Sequence, residues 1–214
     1  MDSARPAVLT PDAPPPERID LGDLVIRRWQ RRDSEAQFQA IEASYEELHA
    51  WMPWLPERRT RAQQRDFIEA AAANWPADGN CNYGLFDSAE TVLGSLGLHD
   101  RVGPATLEIG YWCHTGYTGR GVITRSVAAV TAIALVLPGV ERIEIHCDVA
   151  NVRSAAVPRR LGWRLERTEP RERHAPGESG RGMVWVRERG DLPVGSGDQT
   201  SRAAQDGAAD PTGR

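Results

Sequence analysis

The sequence contains no lysine: all 26 basic residues among its 214 are arginines. That absence excludes Schiff-base chemistry and a Walker A phosphate loop, both of which need the lysine amine. The arginines are scattered along the chain, which reads as compositional bias and not as a ligand site. Cysteine is scarce. Cys81, Cys113 and Cys147 are odd in number and widely spaced, with no C-x-x-C pair, and the five histidines do not fall at zinc-ligand spacing. Neither a disulfide framework nor a metal site is expected, and buried thiols in a reducing cytoplasm fit the pattern. Long hydrophobic runs are missing too. The most apolar stretch, Val127 to Leu137, is about half of the ~20 residues that span a bilayer. The opening MDSARPAV has no basic region followed by an apolar one, so it does not read as a secretory signal. Nor is there an excess of positive charge: the formal net charge is -4, against the basic balance of a nucleic-acid binder. The expectation is a soluble cytoplasmic protein with neither a membrane nor a nucleic acid as partner.

What is present suits one globular domain with tails, since a chain of this length buries a sizeable core. Five prolines in the first sixteen residues and a Gly, Ser, Asp and Ala-rich end predict mobile segments over 1–20 and 189–214, around a body at 21–188. In the body, LVIRRW (Leu24 to Trp29) reads as a strand. Asp33 is placed to cap a helix running to about His49. The two prolines of WMPWLPE (Trp51 to Glu57) exclude regular helix there, and a second helix is predicted over Arg61 to Trp75. Three strand-like runs follow at Asn82–Asp87, Thr91–His99 and Thr106–Cys113, joined by short turn-rich links. Ile123, Val127, Val130, Ala134 and Leu137 then mark one face of a long helix stopped by Pro138-Gly139. RIEIHCDV (Arg142 to Val149) alternates as a strand, Asn151 can cap a short helix, and the strands WRLERT and MVWVRE follow. The fold class is mixed α/β, with a mostly antiparallel sheet and a few crossover helices.

Two segments carry chemistry. In EIGYWCHTGYTGRGVITRSV (Glu108 to Val127) a strand enters a loop with Gly116, Gly119 and Gly121 that opens straight into the long helix. Free N–H groups of a helix's first turn, the helix dipole and Arg120 at the rim together suit a phosphate or pyrophosphate, although a plain tight turn shares these features. The spacing G-x-x-G-x-G is neither a Walker A loop nor the Rossmann fingerprint. The second segment, NVRSAAVPRRLGWRLE (Asn151 to Glu166), starts just after a strand and returns through Leu161-Gly162-Trp163 into another.

Together the two segments resemble the GNAT superfamily of acyl-CoA-dependent N-acyltransferases, whose Q/R-x-x-G-x-G/A loop and N-x-x-S…G-F element occur in this order. LVIRRW, WMPW, LEIGYW and N-x-x-S are most similar to the RimJ/RimL-type branch, and the likeness spans about residues 21 to 188. Two positions depart from the pattern. Gly116 replaces the usual Gln or Arg, which shifts the load onto backbone amides and Arg120. Pro158 sits inside the short helix, where it has no N–H to donate and crowds the carbonyl of Ser154.

The resemblance implies a GNAT-like, largely antiparallel sheet whose middle strands, Thr106–Cys113 and Arg142–Val149, splay apart around acetyl-CoA. It implies pyrophosphate on the amides of Thr118, Gly119, Arg120, Gly121 and Val122, and pantetheine against Trp112, Cys113 and Asn151. An amine then attacks the thioester, with no metal. Glu108 is the candidate base, directly or through water, or else a solvated strand-end carboxylate. Ser154 is the candidate donor to the leaving thiolate, or a helix-start side chain bonding backbone. Tyr111 and Tyr117 are alternative proton donors. Trp51, Trp54 and Tyr111 are candidate acceptor-pocket residues. Cys113 reads as a buried small hydrophobe, and His146 and Asp148 as an ordinary polar strand face. The implied acceptor is a protein N-terminal α-amine or a small-molecule amine. Succinyl-CoA as donor, and a non-catalytic acyl-CoA sensor, remain alternative readings. Homodimers are frequent in the family, but no interface is legible here.

Overall fold

The computed structural model describes residues 7–77 and 79–191; of the C-terminal segment expected to be mobile over 189–214, Arg189–Asp191 instead forms a 3₁₀ turn, with Arg189 Nε on the Val140 carbonyl at 3.0 Å, and the rest lies outside the described residues. Eight strands form one sheet: β1 (Arg18–Asp20), β2 (Val25–Arg28), β3 (Asn80–Phe86), β4 (Val92–Gly103), β5 (Thr106–Cys113), β6 (Arg142–Asp148), β7 (Arg164–Pro170) and β8 (Arg181–Glu188). They lie in the order β1-β2-β3-β4-β5-β6-β8-β7. Every pairing is antiparallel except β5 with β6. That parallel pairing is short, joining only Thr106, Leu107 and Glu108 to Arg142, Ile143 and Glu144. Beyond it the two strands part, as the splayed arrangement requires.

Five helices cover the sheet: α1 (Ser34–Glu42), α2 (Tyr45–His49), α3 (Arg61–Ala73), α4 (Val122–Ala134) and α5 (Val152–Arg160). The period-two alternation of the strands separates two faces. On one face Leu96, Leu98, Leu107, Ile109, Ile143 and Ile145 pack with Val127, Val130 and Ala134 of α4 and Ala155 and Val157 of α5. On the other, Val25, Trp29, Phe86 and Trp112 pack with Ala40, Ile41, Leu48 and Ile68 of α1 to α3. Along the middle strands this second face turns polar, with Ser95, Gly97 and His99 on β4, Glu108 and Gly110 on β5, and Glu144, His146 and Asp148 on β6.

Three further expectations need correction. The single helix from Asp33 to His49 is two helices, broken at Ala43–Ser44, where the buried Ser44 hydroxyl accepts the Thr115 N–H at 3.0 Å. Asp33 does stand before α1, but its carboxylate makes no cap bond there. It is clamped by both Arg27 Nη atoms at 2.7 and 2.9 Å. The N-terminal segment expected to be mobile is partly built into the body. Arg18–Asp20 adds a strand, Leu9 is 2% exposed within the core, and the Val8 N–H reaches Asp100. The prolines allow this because an extended, non-helical run can still cross the sheet edge and insert one side chain.

No described helix is long and apolar enough to cross a membrane. The packing of Leu9 predicts that Leu9→Ala costs about 2–4 kcal/mol in urea or thermal unfolding, the range for a fully buried leucine. A change below ~0.5 kcal/mol would return the segment to the status of an unanchored tail.

Candidate active site

A cavity of about 670 Å³ lies between the polar face of the sheet and the segment joining α2 to α3. Its walls include Glu108, Tyr111, Trp112, Asn151, Ser154, Trp51 and Trp54, so seven of the residues singled out from sequence meet in one place. Cys113 and the loop residues Thr118, Gly119, Arg120, Gly121 and Val122 lie outside it.

The loop is built around two left-handed glycines and a helix start. A 3₁₀ turn at Thr115–Tyr117 follows β5, with the Gly116 N–H on His114 Nδ1. Gly119 and Gly121 take φ of +76° and +75°, a region that side chains with a Cβ avoid, and Gly121 starts α4. Backbone bonding ends with the Thr118 N–H on Thr115 and resumes with Arg125 on Gly121. The N–H groups between have no acceptor within the chain among the described residues, as a helix start dictates. Arg120 stands exposed beside them, over the Tyr117 ring at 5.0 Å.

Where β5 and β6 part, Tyr111 bridges from β5 to α5. Its hydroxyl donates to the Ser154 carbonyl at 2.9 Å and lies 3.1 Å from Ser154 Oγ. Pro158 explains why that carbonyl is available, because it is the residue that would otherwise have donated to it. The Asn151 side chain caps α5, accepting the Ser154 N–H at 3.1 Å, as its position suggested. Burial raises the Tyr111 hydroxyl well above its ordinary pKa. Burial also pushes the Cys113 thiol up to about 11, so it stays protonated at neutral pH, in keeping with a packing role.

Glu108 is not a solvated strand-end carboxylate. It is 9% exposed, and Arg101 holds both its oxygens, Nε and Nη2 each at 2.8 Å. Burial raises its pKa, but the hydrogen bonds and charge of Arg101, helped by His146 and His99, outweigh this and hold it below the usual carboxylate range. Its register partner on β6, Glu144, is paired separately with the Arg142 guanidinium at 2.7 Å and hydrogen-bonded to His146 Nε2 at 2.5 Å. Two carboxylates thus stand side by side, each with its own cation.

Sequence reasoning missed the rest of the wall. Arg101, His99, Asn80 and Asn82 come from the outer reaches of β3 and β4, and Arg59, Gln37 and Gln64 from the helices above. His99 Nδ1 bonds Asn80 Oδ1 at 2.7 Å, and its ring lies over Gly97, where a Cβ would collide with it, and beside Gly110, where a Cβ would make ordinary contact. Only the paired glycines at 97 and 110, both visible in the sequence, hinted at a side chain lying flat there. Asp148, read as ordinary polar face, is 3% exposed. Its Oδ1 accepts from Ala150 N–H and Ser179 Oγ, and its Oδ2 has no partner. The β7–β8 connection closes one side, with the Gly177 N–H on the Ala50 carbonyl at 2.8 Å and Trp51 packed on Gly177.

Residues 23–164 match the acetyltransferase (GNAT) domain family. The curated "Putative ribosomal N-acetyltransferase YdaF" of Bacillus subtilis (strain 168) is 28% identical over 152 residues, covering 70% of this chain and 81% of that protein. Among solved structures, RimL, a ribosomal L7/L12 alpha-N-protein acetyltransferase in complex with coenzyme A, superposes with a TM-score of 0.73 at 20% identity, over 80% of this chain and 98% of that one. The microcin C7 self immunity acetyltransferase MccE, in complex with acetyl-CoA and AMP, gives 0.73 at 18% identity over 85% and 98%. At these identities the structural likenesses establish a shared fold.

The Arg101–Glu108 pair makes a pH-dependent contribution to stability. A carboxyl lowered in the folded state stabilises above its unfolded value and loses that contribution as the pH falls through the lowered one. Arg101→Gln leaves the buried carboxylate without its cation and is expected to cost about 1–2 kcal/mol near pH 7, discounted for the half-exposed guanidinium. The difference from wild type should close as the pH drops below the ordinary carboxyl value of 4.5. Unfolding midpoints measured across that range check it, and a difference independent of pH would contradict it.

Proposed function

The chain belongs to the acetyltransferase (GNAT) family, and from that membership we propose that it moves the acetyl group of acetyl-CoA onto a primary amine bound in the cavity. The observation that carries this reading is the parting of β5 and β6, with Tyr111 and Ser154 at the gap. A turn of free amides follows the C-terminal end of β5, and a walled cavity runs along the strand from Glu108 to Trp112. The amides of Thr118 to Val122, with Arg120 beside them, suit the pyrophosphate of coenzyme A. The unpaired edge of β5 near Trp112 and Cys113, together with the Asn151 amide group, offers hydrogen bonds to the pantetheine arm. An acetyl group needs no counter-charge, and the side chains that contact Ser154, Tyr111 and Cys147, are neutral.

In the transfer, the amine nitrogen bonds to the thioester carbon, the carbon–sulfur bond breaks, and the amine gives up a proton while the sulfur gains one. Glu108 stays ionised at neutral pH and has both oxygens held by Arg101. It therefore serves as a fixed negative charge that attracts the ammonium form and passes its proton on through water, instead of storing the proton itself. Ser154 Oγ, hydrogen-bonded to Tyr111, is the donor toward the leaving sulfur. Trp51 and Trp54 form the apolar part of the acceptor wall. The acceptor is a protein N-terminal α-amine or a small amine. The names of relatives described as ribosomal-protein N-acetyltransferases favour the protein acceptor. The three thiols, two of them buried, suit a reducing cytoplasm.

Acetyl-CoA should raise the thermal midpoint of the purified protein in a concentration-dependent way, with ~2.7 kcal/mol of added stability at a hundred times its Kd. Gly121→Val, which forbids the left-handed start of α4, should abolish the shift. Glu108→Gln and Ser154→Ala should each lower kcat/KM by about 10²-fold or more while retaining the acetyl-CoA shift. No shift at concentrations approaching roughly millimolar acetyl-CoA would defeat the reading.

A further inference from the structure

Arg59 is a cavity cation without a counter-ion. It directly precedes Thr60, the N-cap of α3, and its guanidinium lies over two rings of its own wall, 5.3 Å from the Trp54 centroid and 5.7 Å from Phe67. One Nη2–H donates to the Trp54 carbonyl at 3.2 Å. No carboxylate pairs with it among the described residues, and burial alone acts on its pKa, lowering it. The cavity's other guanidiniums differ: Arg101 grips Glu108, and Arg171 lies 3.8 Å from Glu178. A partly desolvated cation is ordinarily balanced by an anion, and aromatic faces replace only part of that interaction.

A second group in the same wall is also incomplete. Gln64, on α3, is 1% exposed; its Nε2 donates to Gln37 Oε1, while its own Oε1 is buried with no partner. Both glutamines line the cavity with Arg59. The Gln64 oxygen is closed off from the cavity, so the group the wall presents to a ligand is the guanidinium of Arg59, a fork of charged N–H donors complementary to a carboxylate.

We propose that Arg59 is the anion subsite of the acceptor pocket, so that the acceptor is a primary amine bearing a carboxylate. This rests on the acetyl-transfer reading and narrows its acceptor. The carboxylate belongs either to an acidic side chain near the N-terminus of a polypeptide or to a free amino acid, and both present the same chemistry to the guanidinium.

The test uses the full chain, acetyl-CoA and two matched acceptor pairs: short peptides beginning Ser-Glu and Ser-Gln, and a free amino acid with its carboxamide. Wild type should favour the anionic member of at least one pair by about 10–100-fold in kcat/KM, the range for a charge-assisted hydrogen bond, and the preference should shrink as salt is added. Arg59→Gln should bring the anionic-to-neutral ratio toward one, and Arg59→Lys should retain part of it. If Arg59→Gln does not fold, the Lys variant and the salt series carry the same comparison. Preference confined to the peptides identifies a polypeptide acceptor, and preference confined to the amino acid identifies a small one. Equal rates within both pairs, or a ratio untouched in Arg59→Gln, overturn the subsite. So does an Arg59-dependent preference for succinyl-CoA over acetyl-CoA without acceptor preference, since the anion would then belong to the donor. Calorimetric binding of the same acceptors to the CoA-loaded protein separates the two claims. Arg59-dependent anion binding without turnover overturns acetyl transfer and keeps the subsite. Turnover without anion preference does the reverse, and neither binding nor turnover overturns both.

Discussion

The structure depends on how far β5 and β6 remain paired. Three residues of parallel ladder, ending at Glu108 and Glu144, join the two halves of the sheet, and beyond them the strands separate. An unpaired strand edge inside a domain is costly unless its polar groups find partners. Here the gap is spanned by a side chain, because Tyr111 reaches across to Ser154. Pro158 makes that bridge useful. Without an i to i-4 donor at position 158, the Ser154 carbonyl faces no competition from the helix for the Tyr111 hydroxyl, which also lies 3.1 Å from Ser154 Oγ. A residue that weakens a nine-residue helix thereby favours the bridge that spans the opening between β5 and β6.

The two faces of the sheet divide the labour. Beneath it, the apolar layer against α4 and α5 is the larger of two hydrophobic clusters, the second lying under α1 to α3 on the other face. Above it, the middle strands carry Glu108, Glu144, His146 and Asp148, which burial alone would destabilise. Local pairing makes this tolerable: Arg101 on Glu108, Arg142 and His146 on Glu144, and the Ala150 amide with Ser179 on Asp148. The cavity is therefore strongly charged in its parts and nearly balanced between them. Arg59 stands out against that background because its neighbours are rings and not carboxylates.

What could be read from the sequence was local. The period change after Gly121 located α4, the alternation in Thr106–Cys113 gave β5 its observed ends, and Asn151 caps α5 as its side chain suggested. What could not be read was non-local. The burial of Leu9 depends on where the chain crosses the sheet, which no window of the proline-rich segment reveals. Ser44 breaks a helix whose local pattern is unbroken, because its hydroxyl is needed by Thr115, 71 residues away. Glu108 was identified by its place in LEIGYW, but its state was not. The residue that sets its ionisation, Arg101, faces it only once the β4–β5 hairpin has its observed register. Arg59 carries no periodic signal at all, since its meaning lies in the absence of an acid nearby.

The joints between distant segments also explain how the cavity wall and the glycine loop before α4, the proposed acceptor and phosphate sites, hold a common geometry. Ser44, at the corner between α1 and α2, holds the amide of Thr115 at the start of the loop, so the helices roofing the cavity and the turn leading into α4 share a hydrogen bond. On the opposite side Gly177 is bonded to Ala50 and leaves room for the Trp51 ring, where any Cβ would meet the Ala50 carbonyl. Both joints involve backbone groups, whose loss on burial costs roughly 1–3 kcal/mol each. Displacing the α1–α2 corner would therefore open two distant bonds together. The walls are pre-set by that coupling, which is the condition under which a single well-placed charge such as Arg59 can discriminate between acceptors without first having to order the pocket around them.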